Sequence, residues 1–418
     1  MKRAVIRLLP GFIFVFYLLY IISSTFSIAI TQITLGLSLI GFLIFISIKP
    51  FNPFCGSLAR FYQITALYIG WILLSALTGP TPVESAIAVK EEWLFLAIPI
   101  GVYLYNHDQY RRYLITAFAV SVAIVATYGI IQHFFGIDWY HTKSLKPAPN
   151  SGYLVRGNFP HPLTFGNFFA VASGFLITLG IVSKSGFDRR LRVLLVMGGI
   201  IAGGAVMFSY SRGSIIALLF GLLFLSFIQG RRYWVYGFGI IVIAVGVLIF
   251  SQGLSDRIER NIQRDLSTND EMGRPFIWES SLHLVVENPV FGVGRGNFPA
   301  EYAKRLPPDV EPKKKHVHAH CDLINIAANE GIPAMLFYIS FWLIALFSFW
   351  KGHRGPPGTH KCYLTAALIG SVVFFISSIT EATFADEEVR EMLMFVWAIG
   401  LGAWYKQYAQ NIISNKTS

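Results

Sequence analysis

Charge is scarce in this chain. Asp, Glu, Lys and Arg make up 14% of its 418 residues, against 54% that are hydrophobic, and mean hydropathy is +0.55. A soluble domain cannot hide that much apolar surface behind so few charges. Cysteine is rarer still: Cys55, Cys321 and Cys362 fall in well-separated segments, which excludes a disulfide framework. No repeat of fixed period and no low-complexity tract occurs. Among the charges that are present, 34 Lys and Arg outnumber 23 Asp and Glu, for a net +11. Such an excess could suit nucleic acid, but most of the basic residues stand in short clusters between apolar runs, where they set membrane orientation. Nucleic acid is therefore not an expected partner; membrane lipids are.

The apolar residues come in runs of roughly 17–24, the length needed to cross about 30 Å of hydrocarbon as helix. They do not alternate as barrel strands do, so the fold class is an all-α integral membrane bundle. About twelve transmembrane helices are expected, at 8–26, 28–48, 61–79, 91–107, 113–136, 163–183, 191–209, 211–229, 233–253, 332–350, 361–383 and 388–406. Met1-Lys2-Arg3 and the apolar run from Leu8 resemble a signal sequence. The run is long and a second follows at once, so it reads as an uncleaved first helix. With the N-terminus inside, the basic clusters at Arg111–Arg112, Lys184–Arg192, Arg231–Arg232 and Lys351–Lys361 all fall on the cytoplasmic side. The last outer connection, with Glu381, Asp386, Glu387 and Glu388, is acidic. Both termini are then cytoplasmic.

Two outer segments are long, about 137–162 and 254–331. Loops of that length are functional or disordered. Phe276, Ile277, Trp278, Leu282, Leu284 and Val285 give the second enough apolar surface for an ordered, partly helical subdomain. The chain thus divides into helices one to nine (1–253), an outer catalytic loop (254–331), and three helices with a cytoplasmic tail (332–418).

The densest chemistry ends that loop: Lys313, Lys314 and Lys315, then His316-Val317-His318-Ala319-His320-Cys321-Asp322. A short helix is expected from about His320 to Glu330, stopped at Gly331, with Pro333 opening the next membrane helix. Alternating histidines invite a metal reading, but the run is more plausibly extended and no carboxylate pair completes a site. Solvated loop histidines are the plainest alternative; a histidine acting as base or hydrogen-bond donor at the membrane surface is favoured over both. Arg212, in Ser211-Arg212-Gly213-Ser214, stands at the outer end of an apolar helix. There it either snorkels or binds an anion. Arg274, in Gly273-Arg274-Pro275-Phe276, and Arg156, in Arg156-Gly157-Asn158-Phe159-Pro160-His161-Pro162, are further anion candidates, with His161 beside them. Guanidinium forks suit phosphate oxygens. Several arginines and a histidine on one face of a lipid bundle suggest a phosphorylated lipid ligand, and the three lysines could meet phosphates on a second lipid.

Asn288-Pro289-Val290-Phe291-Gly292-Val293-Gly294-Arg295-Gly296-Asn297-Phe298 resembles the glycine-rich segment of the O-antigen ligase and O-antigen polymerase superfamily. The His-x-His run with Gly331 eleven residues beyond His320, the Ser-Arg-Gly that opens a helix, and Gly-Arg followed by aromatics fit the same pattern in the same order. Many relatives carry Asn after the second histidine, where this chain has Cys321. The compact His-x-His and the two arginines look most like the ligases that join O-antigen to lipid A–core. The resemblance implies a bacterial, Gram-negative inner-membrane glycosyltransferase with its active site on the periplasmic face. It implies metal-independent, inverting transfer from a glycan on undecaprenyl pyrophosphate to a sugar hydroxyl of lipid A–core, with no cofactor. It also implies that Arg212 and Arg274 hold the pyrophosphate and that His320 is the base, supported by His318.

An O-antigen polymerase uses the same donor and is the nearest rival; a protein O-oligosaccharyltransferase is a further cousin. A transporter of a small anion or lipid is the non-enzyme alternative, though neither paired repeats nor midplane helix breaks are evident in the sequence. The topology is directly testable. Reporters fused within 254–331 should be active only outside the cytoplasm, and reporters at Arg112, Arg190 or Arg232 only inside. An inside signal from 254–331 would remove the loop from the face where the donor glycan is presented.

Overall fold

A computed structural model describes residues 2–52, 54, 56–142, 144–148, 151–183, 186–235, 237–239, 274–306, 318–355 and 358–417. Cys55, the expected helix at 233–253 for most of its length, His316 and Lys313–Lys315 lie outside the described residues. Helices dominate, and among the described residues the only β pairing is an isolated bridge between Pro147 and Tyr153.

The elements in order are α1 (Lys2–Ser23), α2 (Ile28–Ile48), α3 (Gly56–Thr78), α4 (Pro82–Ala88), a 3-10 stretch Val89–Leu96, α5 (Ala97–Tyr105), α6 (Asp108–Phe135), α7 (Pro162–Val182), α8 (Arg189–Ser209), α9 (Arg212–Ile228), a 3-10 turn Arg231–Tyr233, α10 (Arg274–Glu287), α11 (Phe298–Ala303), α12 (Asp322–Arg354), α13 (Thr359–Ser378) and α14 (Glu387–Thr417). Seven described helices are long and apolar enough to cross a membrane: α2, α3, α6, α7, α8, α12 and α13. This is a multi-pass membrane protein.

Long uncharged runs make these helices, and a polar side chain caps the start of some of them. Asp188, for example, caps α8 by accepting a hydrogen bond from Leu191 N (2.8 Å). Packing places α7 and α13 at the centre. The α7 core stretch is 83% buried and that of α13 78%. Helix α7 packs on α8 and α13, α13 on α14 and α9, α6 on α8, and α12 on α3. Apolar attraction between helices is weak inside a bilayer, so close approach of small residues takes over. Gly221 of α9 shows this: a Cβ there would lie 2.3 Å from Val373 of α13. The outward faces stay apolar, with Ile124, Ile216, Leu343 and Phe347 all exposed, which suits lipid rather than water.

One expected helix is not continuous. In place of 91–107 the chain makes α4, the 3-10 stretch and the short α5. The reason lies in the carboxylates. Glu92 is 2% exposed, and its Oε1 accepts from Arg295 (2.6 Å) and Arg390 (3.0 Å). Glu91 takes the other arm of Arg390 at 3.2 Å. Arg295 also donates from Nε to Glu330 Oε1 at 2.7 Å. The 3-10 stretch thus holds both neighbouring carboxylates on Arg390 and Glu92 on Arg295 as well.

The described part of 254–331 is ordered, as its apolar residues imply. Helices α10 and α11 enclose a small core of Ile277, Leu284, Val293, Phe298 and Tyr302. The glycine-rich segment 288–298 wraps the break in α12. Val293 N and Gly294 N donate to Ala328 O (2.9 Å) and Asn329 O (2.8 Å), and Ile332 N donates to Pro289 O (2.8 Å). At the break, Gly331 has φ 89°, and an added Cβ would meet Val290 O at 2.0 Å, so only glycine fits. Helix α12 is thus the expected short helix followed by a membrane helix.

Removing one member of a buried ion network leaves a bare charge in low dielectric, which costs about 3–5 kcal/mol. Arg295→Ala should lower thermal stability in detergent by that order. Arg112→Ala, which breaks an exposed pair with Asp188, should change it by less than about 1 kcal/mol. Equal effects in thermal unfolding would mean that the network is not structural.

Candidate functional site

The site starts where the chain enters α12. Cys321 is its N-cap residue, buried and extended. His320, just before it, has φ 51°, a left-handed conformation uncommon for a residue with a side chain. That twist turns the imidazole back on its neighbour: the His318 and His320 rings meet edge to face, with centroids 4.4 Å apart. His320 N donates to His318 Nδ1 (3.3 Å), and Ala319 N donates to Asn325 Oδ1 of the following helix (3.2 Å). The turn is held at both ends.

Both imidazoles face Glu381, from the connection between α13 and α14. His320 Nδ1 lies 2.7 Å from Glu381 Oε1, and His318 Nε2 lies 3.6 Å from the same oxygen. Among the described residues Glu381 Oε2 accepts no hydrogen bond, but Arg274 at the start of α10 approaches it to 3.5 Å. Burial raises the Glu381 carboxyl; the His320 hydrogen bond and the charges of His320, His318 and Arg274 outweigh it, so the net shift is downward. An ionised carboxylate only accepts, so in this contact His320 donates Nδ1–H to Glu381. Asp322 sets the position of the Glu381 connection. It is 1% exposed, and its two oxygens accept from Phe384 N at 3.0 and 3.1 Å.

The expectation that the histidines lack an acidic partner is therefore corrected. Ligand atoms of His318, His320 and Glu381 lie within 4.8 Å of one another, which is close enough to hold a metal ion. Against that use, the Arg274 guanidinium stands beside the same carboxylate, and a fixed cation disfavours a second one. Sequence reasoning used Glu381 only as an acidic marker of the outer side. The available signal was an acidic residue in a short connection on the same face as the cationic candidates.

Arg212 opens α9, after a left-handed Tyr210 (φ 54°) that ends α8. The start of α9 rests on the Glu381 connection, with a Cβ at Gly213 reaching 2.5 Å from Thr380 Oγ1. Ser214 donates to Asn167 Oδ1 (2.5 Å) and Asn167 to Thr383 Oγ1 (3.5 Å). His161 caps α7 by accepting from Leu163 N (3.2 Å). Desolvation lowers its pKa, Glu381 raises it, and Lys146 and His320 lower it further, with a net downward shift. Thr164, three residues on, donates to Asp386 Oδ2 (3.0 Å). The geometry thus gathers Arg274, His318, His320 and Glu381 directly, with the starts of α7 and α9 around them. Arg156 is committed elsewhere: its Nε and NH2 grip buried Asp138 at 3.0 and 2.5 Å, which ties down the 137–162 segment.

The comparisons with known proteins meet the resemblance read in the motifs. Residues 197–339 match a family model described as O-Antigen ligase, a stretch that includes Arg212, Arg274, His318 and His320. The chain is 23% identical over 302 residues, 68% of its length, to the teichuronic acid biosynthesis protein TuaE of Bacillus subtilis (strain 168). It spans 59% of the length of that relative.

Asp386 gives the site a pH signature. Burial, with the nearby Glu381 and Glu388 charges, lifts its carboxyl to about 7 despite the bond from Thr164. A group whose folded pKa is raised stabilises fully below its unfolded value, near 3.8, and that stability is lost as pH rises through about 7. Asp386→Asn, which keeps an acceptor for Thr164, should raise the melting temperature at pH 8 and leave it nearly unchanged at pH 4. A uniform shift at both pH values would show that ionisation of Asp386 is not the cause.

Proposed function

We propose that this chain is an O-antigen ligase. It transfers a glycan from undecaprenyl pyrophosphate to a sugar hydroxyl of lipid A–core by metal-independent, inverting transfer. The observation that carries this reading is His320 Nδ1 on Glu381 with Arg274 on the opposite carboxylate oxygen; His320 and Arg274 fall in the segment similar to O-antigen ligases, and Glu381 lies beyond it. In this proposal the protein lies in a Gram-negative inner membrane as about twelve helices with both termini cytoplasmic. Residues 254–331 form the periplasmic catalytic loop.

The reaction has two needs. Charge on the departing pyrophosphate must be neutralised, and a proton must leave the acceptor hydroxyl. Arg274 and Arg212 meet the first by gripping phosphate oxygens. His320 meets the second: Nε2 takes the hydroxyl proton as that oxygen bonds the anomeric carbon. The bond from that carbon to the pyrophosphate oxygen breaks on the opposite face, and undecaprenyl pyrophosphate leaves with the electron pair. Glu381 holds the tautomer and stabilises the imidazolium formed, and His318 packs the ring in place. Because pyrophosphate is a good leaving group, no strong general acid is required. His161 and Lys313–Lys315 are assigned to binding the two lipid-linked substrates, while Arg156, held by Asp138, keeps a structural role.

Lipopolysaccharide gels of a deletion strain test the assignment. Loss of all O-antigen with lipid-linked polymer accumulating fits a ligase, whereas a single-repeat band would make the chain a polymerase. In purified protein His320→Ala should lower transfer by about 10²–10⁴-fold. Arg274→Lys should also impair it severely, because the planar fork is lost. Near-wild-type transfer by His320→Gln would refute the base. Activity lost in EDTA and restored by a divalent ion would move His318, His320 and Glu381 to metal ligation.

A further inference from the structure

Beside the histidine cluster lies a separate cleft of about 310 Å³. Its walls are the turn between α1 and α2, the 137–162 segment, and the first turn of α14. It shares its scaffold with the cluster. Phe159 and Pro160 of its wall lead into His161, and Glu388 follows Asp386. Its volume is at the small end of ligand sites, which run from about 300 to 1,000 Å³.

The lining has a definite chemistry. Ser24 and Ser27 supply hydroxyl oxygens, Asn158 an amide and Glu388 a carboxyl. Ser24 already donates its proton to Ile21 O (2.9 Å). Its oxygen is left as an acceptor, and the Glu388 carboxyl offers acceptor oxygens in either protonation state. The cleft therefore suits a ligand rich in O–H and N–H donors. Tyr140 is 52% exposed and offers an aromatic face for the C–H side of a sugar ring. Among the described residues that line the cleft there is no lysine or arginine. His141 leans on Asp138 at 3.3 Å. No lysine or arginine among these residues would pair with phosphate or uronate, whereas Arg274 stands beside Glu381.

We propose that this cleft is a glycan subsite for an uncharged pyranose, whose hydroxyl or acetamido groups donate to Glu388, Asn158 and the Ser24–Ser27 turn while its ring lies on Tyr140. The proposal rests on the reading that this face handles glycans. It adds a selectivity: the sugar seated here carries no carboxylate or phosphate.

Saturation-transfer NMR on the detergent-solubilised full chain tests it, with chitotriose as the neutral probe and trigalacturonate as the anionic one. Transfer to chitotriose is expected, and little or none to trigalacturonate. Ala29→Trp, placed on an exposed lining position, should fill the cleft and abolish the chitotriose signal. Tyr140→Ala should weaken binding by about three- to tenfold, and it is the second variant should the first fail to fold. No transfer to chitotriose, equal transfer to both probes, or a chitotriose signal indifferent to both variants would each overturn the subsite. Chitotriose binding in a protein that transfers no glycan would leave the subsite standing and refute the ligase reading; efficient glycan transfer without binding would do the reverse.

Discussion

One guanidinium ties the glycine-rich segment 288–298 to the helical bundle. Arg295 spans Glu92, in the 3-10 stretch before α5, and Glu330, the last residue before the break in α12. Arg390 of α14 joins the same Glu92 oxygen. Elements far apart in sequence are thereby tied at one point near the end of the bundle. The surrounding contacts confirm the docking: Ser85 donates to Arg295 O (2.7 Å), Trp71 donates to Glu330 O (3.2 Å), and Trp71 stacks on Phe291. Each charge is desolvated, so each is stable only while the others are present.

The histidine turn inherits its position from that clamp. Asp322–Glu330 is a rigid rod of about two and a half turns. Its far end is fixed by Glu330 and the Gly331 break, and its near end by Asp322 on Phe384 N. His318 and His320 sit just before the near end. The glycine-rich segment that most resembles a known family thus supplies no side chain to the histidine cluster. It wraps the α12 break and brings in Arg295, which is a reason for its glycines: a Cβ at Gly292 would fall 2.4 Å from the Asn329 backbone.

Much of this was legible in the sequence, and the illegible parts share one cause. Apolar runs located α2, α6, α7, α8 and α9 to within a few residues, because length and hydropathy are local properties. The stop at Gly331 was readable for the same reason. The break at 89–96 was not, because it depends on Arg295 and Arg390, which reach Glu92 from 203 and 298 residues away. Glu381 was passed over as a partner because it stands 61 residues from His320. Arg156 looked like an anion site in its Gly- and Pro-containing run, and nothing local announces that Asp138 holds both arms of its fork. Side-chain pairing across a bundle is set by packing, and a single sequence carries no direct trace of it.

The mixture of signs at Glu381 has a physical logic. Arginines alone would gather phosphates but would also disfavour a proton on a nearby imidazole, weakening it as a base. A carboxylate between them offsets that repulsion and fixes which ring nitrogen carries hydrogen. The two grips differ in strength: the His320 contact is short, at 2.7 Å, and the Arg274 approach loose, at 3.5 Å. A phosphate arriving at the arginine competes with the looser contact and leaves the tighter one intact. In the proposed transfer the base therefore stays oriented while the anion-binding group changes partner, a division that one carboxylate with two unequal contacts can sustain.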